Sequence, residues 1–490
     1  MKYINEEKIN NVLVDMAKFD SRRLDVILDK AKSLQRLTLE ESAVLLSVEN
    51  PEYVQRIFKA ASFVKDTIYG RRVVLFAPIY ISNLCANNCS YCAFKSDNQL
   101  IKRKALDAPE IRNQTEWLLN RGHKRILMVC GEAAPGGKSN VDYYTEAVRA
   151  IYAAGVGKNK IKRVNVNCAP LSVGDFEKLK SSGIGTYQIF QESYHHQTYL
   201  RMHPEGPKSD PDNRIGAIDR AFKAGIDDIG IGVLYGLFDW RFETLGLLSH
   251  IEHMEESLGV GPHTISVPRI EPAEGVEMSS NPPYKLTDED FKKVVAVLRL
   301  SVPYTGIIMS TRESAQMRDS LLNLGVSQIS AESNTSPGGY SSGKEEQEGM
   351  TAEKAGMTAE KAGMTAEKAG MTAEKAGSQF SLGDHRSLDQ IVGALITHDY
   401  IPSFCAACYR MERTGENFMQ LAKPGTIKGK CSMNALITLK EYLDDFASEP
   451  VRMSGYKMIT RYFKQLDPLE QERLKLFFAH VDSGVRDEYV

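Results

Sequence analysis

The sequence has no long uninterrupted apolar run. None of its segments approaches the roughly 20 consecutive apolar residues that a membrane-spanning helix needs. The first residues, Met1 to Lys8, are polar and acidic and lack the apolar centre of a secretory signal. These absences predict a cytoplasmic protein with no membrane partner.

Net charge is also nearly absent. The 61 Lys and Arg residues against 63 Asp and Glu residues leave a formal net charge of -2 at pH 7. Binding of nucleic acid usually requires a basic surface, so no nucleic-acid partner is expected. The 490 residues, of which 42% are hydrophobic, are enough for one large globular domain with extensions or for several domains of average size.

Cysteine is scarce and unevenly distributed. Only eight cysteines occur, and six of them fall into two groups. In a reducing compartment this grouping indicates metal sites rather than a disulfide framework. The first group is Cys85, Cys89 and Cys92, the second is Cys405, Cys408 and Cys431, and Cys130 and Cys168 are single.

The first group has the spacing Cys-x3-Cys-x2-Cys and follows the apolar run Val73–Ile81. Thiolates held this close repel one another unless a cation neutralises them, which favours a soft metal or an iron–sulfur cluster. Three cysteines leave one iron of a four-iron cluster open for a chelating ligand such as S-adenosylmethionine. Zinc is the alternative, although zinc loops usually pair two CxxC motifs.

The spacing resembles the signature of the radical S-adenosylmethionine (radical SAM) superfamily, in which an aromatic residue, here Tyr91, stands beside the last cysteine. The resemblance implies a four-iron cluster on Cys85, Cys89 and Cys92, and S-adenosylmethionine as cofactor. An open iron would hold the amino and carboxylate groups of this cofactor.

Short apolar runs alternate with amphipathic stretches between Arg71 and Ala331. About eight strand–helix repeats over some 260 residues predict an α/β fold, a closed TIM-like (β/α)8 barrel. Chemistry in such barrels lies at the C-terminal ends of the strands, and the first cysteine group follows the first strand. The predicted strands are Val73–Ile81, Ile126–Cys130, Val164–Cys168, Thr186–Phe190, Asp228–Leu234, Thr264–Ile270, Gly306–Ser310 and Ser327–Ser330.

Composition divides the chain into four expected parts. They are an N-terminal helical extension (1–69), the barrel (70–340), a linker (341–386) and a C-terminal helical iron–sulfur domain (387–490). Within the linker, Gly-Met-Thr-Ala-Glu-Lys-Ala occurs four times without substitution at 349–376. The repeats contain one glycine per seven residues and no large apolar side chain except Met, so we expect a solvated linker without a catalytic role.

Four residues match cofactor-binding positions of the superfamily. The resemblance implies that Glu132, after the second strand, binds the amino group of the methionine moiety, and that Glu192 binds the ribose hydroxyls. It also implies that Arg214 pairs with the cofactor carboxylate and that Gly232 admits the adenine. A solvated loop carboxylate remains the alternative for Glu132, and an ordinary ion pair for Arg214.

Two stretches near the last strands, Ser310–Glu313 and Gly338–Tyr340, resemble the aromatic amino acid lyases of this superfamily, which cleave the Cα–Cβ bond of tyrosine. The resemblance implies L-tyrosine as substrate. Arg312 would hold its carboxylate in a two-point contact with Ser310 in support, and Arg269 is the rival arginine.

The second cysteine group has the spacing Cys-x2-Cys-x22-Cys. It resembles the motif of the tyrosine lyases that take part in [FeFe]-hydrogenase maturation. The resemblance implies an auxiliary iron–sulfur cluster on Cys405, Cys408 and Cys431, with a labile iron on His263, that converts dehydroglycine to carbon monoxide and cyanide. The implied partners are a ferredoxin- or flavodoxin-type electron donor and other hydrogenase maturation proteins.

Three alternatives stay open. His263 precedes the sixth strand, so it belongs to the N-terminal mouth of the barrel and is a hydrogen-bonded structural histidine unless the C-terminal domain covers that mouth. The second alternative concerns the activity: the chain is a tyrosine lyase of the thiamine-pathway type, in which the C-terminal cysteines are structural. From a different class, it is an iron–sulfur carrier or scaffold without radical chemistry.

Overall fold

The structure is a computed structural model that describes residues 1–15, 21–340 and 377–490. Eight parallel strands close into a barrel, because β1 pairs with both β2 and β8. The predicted (β/α)8 fold is confirmed, whereas the repeats at 349–376 lie outside the described residues. The barrel strands are β1 (Arg72–Ser82), β2 (Arg125–Cys130), β3 (Arg163–Asn167), β4 (Tyr187–Glu192), β5 (Ile229–Val233), β6 (Thr264–Ser266), β7 (Gly306–Met309) and β8 (Val326–Ser330).

The predicted sixth strand is too long. We expected it to reach Ile270, but β6 ends at Ser266, two residues before Pro268. Proline has no N–H group to donate to a neighbouring strand, so regular pairing stops there.

Four helices precede the barrel: α1 (Glu6–Asp15), α2 (Ser21–Lys32), α3 (Leu39–Ser47) and α4 (Pro51–Tyr69). Asn50 caps α4 by accepting a hydrogen bond from the Glu52 amide, and Pro51 occupies the first turn, where its missing N–H costs nothing. The buried side chains Ile57, Ala61, Val64 and Ile68 lie on one face of α4, which packs against α13 (Asp288–Ser301).

The remaining helices between residues 70 and 340 connect successive strands. They are α5 (Ala108–Leu119), α6 (Asn140–Ala153), α7 (Val173–Ser181), α8 (His196–Met202), α9 (Pro211–Ile215), α10 (Ala217–Lys223), α11 (Trp240–Leu258), α12 (Glu277–Ser280) and α14 (Ala315–Leu322). None of the described helices is long and apolar enough to cross a membrane.

The C-terminal part joins the barrel through a ninth strand, β9 (Ile401–Ser403), which pairs in parallel with Arg72–Val74 at the start of β1. The sequence did not predict β9, because three residues that include a proline show no alternation. Since Cys405 follows β9 after one residue, this pairing brings the second cysteine group to the N-terminal mouth of the barrel. The helices of this part are α15 (Leu388–Thr397), α16 (Ala407–Arg410), α17 (Gly415–Ala422), α18 (Ile427–Asp445), α19 (Glu449–Phe463) and α20 (Pro468–Asp482).

Candidate functional site

The loop that carries the first cysteine group is held by contacts that other residues make with its backbone. Arg103 donates hydrogen bonds to the carbonyl oxygens of Asn83 at 2.8 Å and Phe94 at 2.9 Å, the two ends of the loop. Gly206 packs against the middle of the loop, where a Cβ would lie 2.4 Å from the Ala86 oxygen, and its φ of +88° favours glycine. The loop therefore presents its three thiols in a defined arrangement.

These thiols line a cavity of about 180 Å³ at the C-terminal ends of the barrel strands. Gly232 does not line it; instead, its missing side chain leaves room for the Phe190 ring, which a Cβ would approach to 2.6 Å. The predicted residues that do line the cavity are Cys85, Cys89, Cys92, Tyr91, Glu132, Glu192, Arg214, Ser310 and Arg312.

Two buried ion pairs organise the polar side of this cavity. Arg214 Nη1 lies 2.9 Å from Glu132 Oε1, and Lys208 Nζ lies 2.7 Å from Glu192 Oε1. Burial raises the pKa of Glu132, but the charges of Arg214 and Lys208 outweigh burial and lower the pKa overall. A carboxylate beside a guanidinium matches the ammonium and carboxylate groups of an amino acid zwitterion.

Lys208 was not predicted from the sequence. It lies in a 3-10 turn between α8 and α9, and neither periodicity nor a strand end distinguishes it from other lysines. Tyr91, which was predicted, donates a hydrogen bond of 2.8 Å to His203 Nε2, while His203 Nδ1 donates to the Tyr199 carbonyl at 2.7 Å. This relay fixes the orientation of the Tyr91 ring in the cavity wall.

Two side-chain amides point at the cysteine sulfurs. Asn87 Nδ2 lies 3.7 Å from Cys85 Sγ, and Gln379 Nε2 lies 3.6 Å from Cys92 Sγ. Burial raises the pKa of Cys89 to about 12 and that of Cys92 to about 11, so the thiols need a cation to ionise at neutral pH. Donors aimed at sulfur fit thiolates that are bound to a metal.

Within residues 1–15, 21–340 and 377–490, no three His, Cys, Asp or Glu side chains converge on a single ion. Cysteines of a four-iron cluster bind separate irons, whereas the ligands of zinc surround one ion tetrahedrally. The donor set of the first group therefore fits a four-iron cluster better than zinc.

The two rival arginines have different partners. Arg269 binds the Glu313 carboxylate through two nitrogens and also lies 2.7 Å from Asp288 Oδ1. Arg312 lies 3.4 Å above the Phe380 ring centroid and forms no ion pair with a carboxylate of the described residues. Of the two, Arg312 has its charge available to a carboxylate in the cavity.

A second cavity, of about 30 Å³, lies at the N-terminal mouth of the barrel. The C-terminal part covers this mouth. This is the arrangement that a functional role of His263, as opposed to a purely structural one, requires. The structure brings His263 together with all three cysteines of the second group. The lining residues are Arg72, Val74, Arg125, Arg163, His263, Gln328, Cys405, Ala406, Cys408, Phe418 and Cys431.

His263 is oriented by a carboxylate and an aromatic ring. Its Nδ1 lies 3.0 Å from Asp228 Oδ2, and its ring stacks on Phe418 with centroids 4.1 Å apart. Burial raises the pKa of Asp228, but His263 and Arg163 outweigh burial and lower it overall. With Nδ1 directed at a carboxylate, Nε2 is the nitrogen left to bind a metal, as in many metal sites.

Three arginines from the first residues of β1, β2 and β3 make the second cavity positive. Burial lowers the pKa of Arg125 to about 10 and that of Arg163 to about 9, so both stay charged at neutral pH. Arg72 Nε and Arg125 Nε are buried without a hydrogen-bond partner among the described residues. Such a site suits thiolates and small anions.

Comparisons with known proteins indicate the superfamily of the chain. The Radical SAM superfamily profile matches residues 79–248, and the Biotin and Thiamin Synthesis associated domain profile matches residues 266–401. The chain is 31% identical to 2-iminoacetate synthase of Escherichia coli over 65% of its own length and 82% of that protein.

Two solved structures of HydG, a maturase of the [FeFe]-hydrogenase, are similar over almost the whole chain. One is 42% identical with a TM-score of 0.91 and covers 100% of both chains. The other, from Carboxydothermus hydrogenoformans, is 36% identical with a TM-score of 0.79 and covers 96% of this chain and 97% of that one. The chain therefore belongs to the radical SAM superfamily, which uses a four-iron cluster and S-adenosylmethionine, and within it to the family of HydG.

Proposed function

We propose that this protein cleaves the Cα–Cβ bond of L-tyrosine to give p-cresol and dehydroglycine, and converts dehydroglycine to carbon monoxide and cyanide for assembly of the [FeFe]-hydrogenase active site. One observation carries this proposal. Two separate cysteine sites face opposite mouths of one barrel, in a chain 42% identical to HydG. Two sites suit two successive reactions.

When bound, a four-iron cluster on Cys85, Cys89 and Cys92 and S-adenosylmethionine together supply a 5′-deoxyadenosyl radical that can abstract hydrogen from the amino group of tyrosine. The protein's part is to bind and orient. We assign Glu132 to the ammonium group of the methionine moiety and Arg214 to its carboxylate, because the two side chains already form a complementary pair at 2.9 Å.

Glu192 is assigned to the ribose hydroxyls, since a carboxylate can accept two hydrogen bonds at once. Its backbone, at a φ of +70°, directs the side chain from the end of β4 into the cavity. Lys208, 2.7 Å away, forms an ion pair with this carboxylate and orients it. Gly232 contributes indirectly, by leaving room for Phe190 in the cavity wall.

Arg312 is assigned to the tyrosine carboxylate, with Ser310 in support. The guanidinium stacks on Phe380, donates to the Arg269 carbonyl at 3.4 Å and has no carboxylate partner among the described residues, so it can form a two-point contact that holds the substrate in one orientation. Phe76, Leu127 and Val129 are among the apolar side chains that line part of the cavity, and such walls limit the access of water to a reactive radical.

The lining of the second cavity, with three arginines and three cysteines, favours a small anionic fragment over tyrosine. The carboxylate of dehydroglycine matches the unpaired N–H groups of Arg72 and Arg125. We assign an auxiliary iron–sulfur cluster to Cys405, Cys408 and Cys431, and an additional labile iron to His263, whose ring Asp228 orients.

The reaction also requires partners. A low-potential donor of the ferredoxin or flavodoxin type would supply electrons, and other hydrogenase maturation proteins would receive the product. A second candidate function is that of 2-iminoacetate synthase, because the Escherichia coli relative is 31% identical. That enzyme type would release dehydroglycine and make no carbon monoxide, so a reduced haem trap distinguishes the two.

The test uses protein reconstituted anaerobically with iron and sulfide, then supplied with S-adenosylmethionine, dithionite and tyrosine. We expect Cys85→Ala to abolish 5′-deoxyadenosine, p-cresol and carbon monoxide. The double variant Cys405→Ala/Cys408→Ala should retain p-cresol and lose carbon monoxide.

The matched control is Cys168→Ala, because Cys168 is buried but lines neither cavity. It should retain all three products. Loss of p-cresol in the double variant at normal folding and first-cluster content would contradict two separate sites. No 5′-deoxyadenosine from the wild type would favour a carrier or scaffold.

A further inference from the structure

The first cavity receives two residues from a distant part of the chain. Residues 378 and 379 are held to the segment after β8, where Ser378 Oγ lies 2.7 Å from Ser336 Oγ and the backbone N–H of Gln379 donates to the Thr335 carbonyl at 3.2 Å. These contacts place the side chains of Gln379 and Phe380 in the cavity lining.

The side chain of Gln379 joins a buried hydroxyl to a cysteine sulfur. Tyr80 OH donates to Gln379 Oε1 at 2.9 Å, and Gln379 Nε2 donates to Cys92 Sγ at 3.6 Å. The first bond orients the amide, because the oxygen that accepts from Tyr80 leaves the NH2 group to face the sulfur. The hydroxyl, amide and sulfur thus form an aligned series of dipoles.

The corresponding contact to Cys85 has a different origin. Asn87 belongs to the cysteine loop itself, and its amide is shared with Glu132 Oε2 at 2.8 Å. Gln379 is 287 residues from Cys92, and both of its polar side-chain atoms are used in the Tyr80 and Cys92 contacts. Its amide is therefore the better candidate for a dedicated influence on the sulfur.

We propose that Gln379 is a positioning residue that raises the reduction potential of the cluster bound at Cys85, Cys89 and Cys92. A hydrogen bond to a ligating sulfur stabilises the reduced cluster, which carries one more negative charge, relative to the oxidised cluster. Gln379 thereby favours transfer of one electron from the low-potential donor to the cluster. This inference rests on the proposed function, since it requires that cluster.

The test is an EPR-monitored redox titration of reconstituted protein, in which the first cluster is identified by the change in its signal when S-adenosylmethionine binds. Gln379→Leu removes the donor at similar size, and the midpoint potential should become more negative. Gln379→Glu places a carboxylate beside Cys92 and should shift the potential further in that direction. Tyr80→Phe leaves the amide unoriented and should give a smaller negative shift.

The control is Ser381→Ala, which changes an exposed side chain in the same segment and should leave the potential unchanged. Gln379→Leu with full iron content and an unchanged potential would overturn the inference. If Gln379→Leu does not hold the cluster, unchanged potentials in both Gln379→Glu and Tyr80→Phe would overturn it. Whatever the measured potentials, formation of p-cresol by the wild-type protein supports the proposed function. Failure of the wild-type protein to form p-cresol counts against that function.

Discussion

Replacement of Arg312 tests the assignment of the substrate site most directly. A bound tyrosine carboxylate would form a charge pair with Arg312 inside the first cavity, where Phe380 stacks on the guanidinium. Truncation of one member of a buried, hydrogen-bonded charge pair costs about 2–5 kcal/mol, and each 1.4 kcal/mol is a factor of ten. The kcat/KM for tyrosine in Arg312→Met should therefore fall by roughly 30- to 4,000-fold.

Arg312→Lys keeps the charge but loses the two-point contact and the planar stacking, so we expect a smaller fall. The assay follows p-cresol and 5′-deoxyadenosine at increasing tyrosine concentrations. Cleavage of S-adenosylmethionine without tyrosine should continue in both variants, because Arg312 is not assigned to that cofactor.

Arg269→Lys is the comparison, since it retains a cation beside Glu313 and Asp288. It should leave the KM for tyrosine nearly unchanged. A kcat/KM of Arg312→Met within about threefold of wild type, or a larger KM effect in Arg269→Lys, would refute the assignment.

Three further predictions concern the cysteine loop, a buried carboxyl group and the repeats. Gly131→Ala should lower both the iron content of the first site and p-cresol formation, because a Cβ there would lie 2.1 Å from the Leu84 oxygen of the cysteine loop. The control Gly174→Ala should change neither, because a Cβ at Gly174 has no neighbour within 4 Å. Glu243→Gln should reduce the pH dependence of the melting temperature. Burial raises the pKa of Glu243 to about 8. The Glu243 carboxyl therefore stabilises the native state at low pH, and this stabilisation is lost as pH rises from roughly 5 through 8. Deletion of 349–369, three of the four repeats, should leave p-cresol formation unchanged, because every described residue that lines the first cavity lies outside it.

The sign for Glu243 follows from its surroundings. An unfolded glutamate loses its proton near pH 4.3, whereas the buried native carboxyl retains it to about pH 8, so the native state binds more protons in between. Equal changes in melting temperature between about pH 5 and 8 in the wild type and in Glu243→Gln would contradict the prediction. For the repeats, a large loss of p-cresol at normal folding would contradict a passive linker.

The barrel could be predicted because its strands are buried on both faces and read as short apolar runs of similar spacing. Strand limits were predicted less accurately, as the early end of β6 before Pro268 shows. The short strand β9 could not be predicted, because its position depends on pairing with Arg72–Val74 and not on its own composition.

The cysteine groups were visible because thiols at short, regular spacing serve few purposes other than metal binding. The residues that surround the cysteine groups could not be predicted from the sequence. Lys208, Gln379 and Asp228 occur in stretches without a motif, and each contacts its site through a hydrogen bond or ion pair with a residue distant in sequence or on another element.

The amino-acid sequence alone determined the fold class, the two groups of candidate metal-binding cysteines and the superfamily, because period, spacing and residue type are local properties of the chain. Only the tertiary structure decided that His263 and the second cysteine group share one cavity, that Arg312 rather than Arg269 keeps its charge available, and that Gln379 contacts Cys92. Each of these depends on closure of the barrel and on the docking of the C-terminal part, which bring together residues that no local pattern relates.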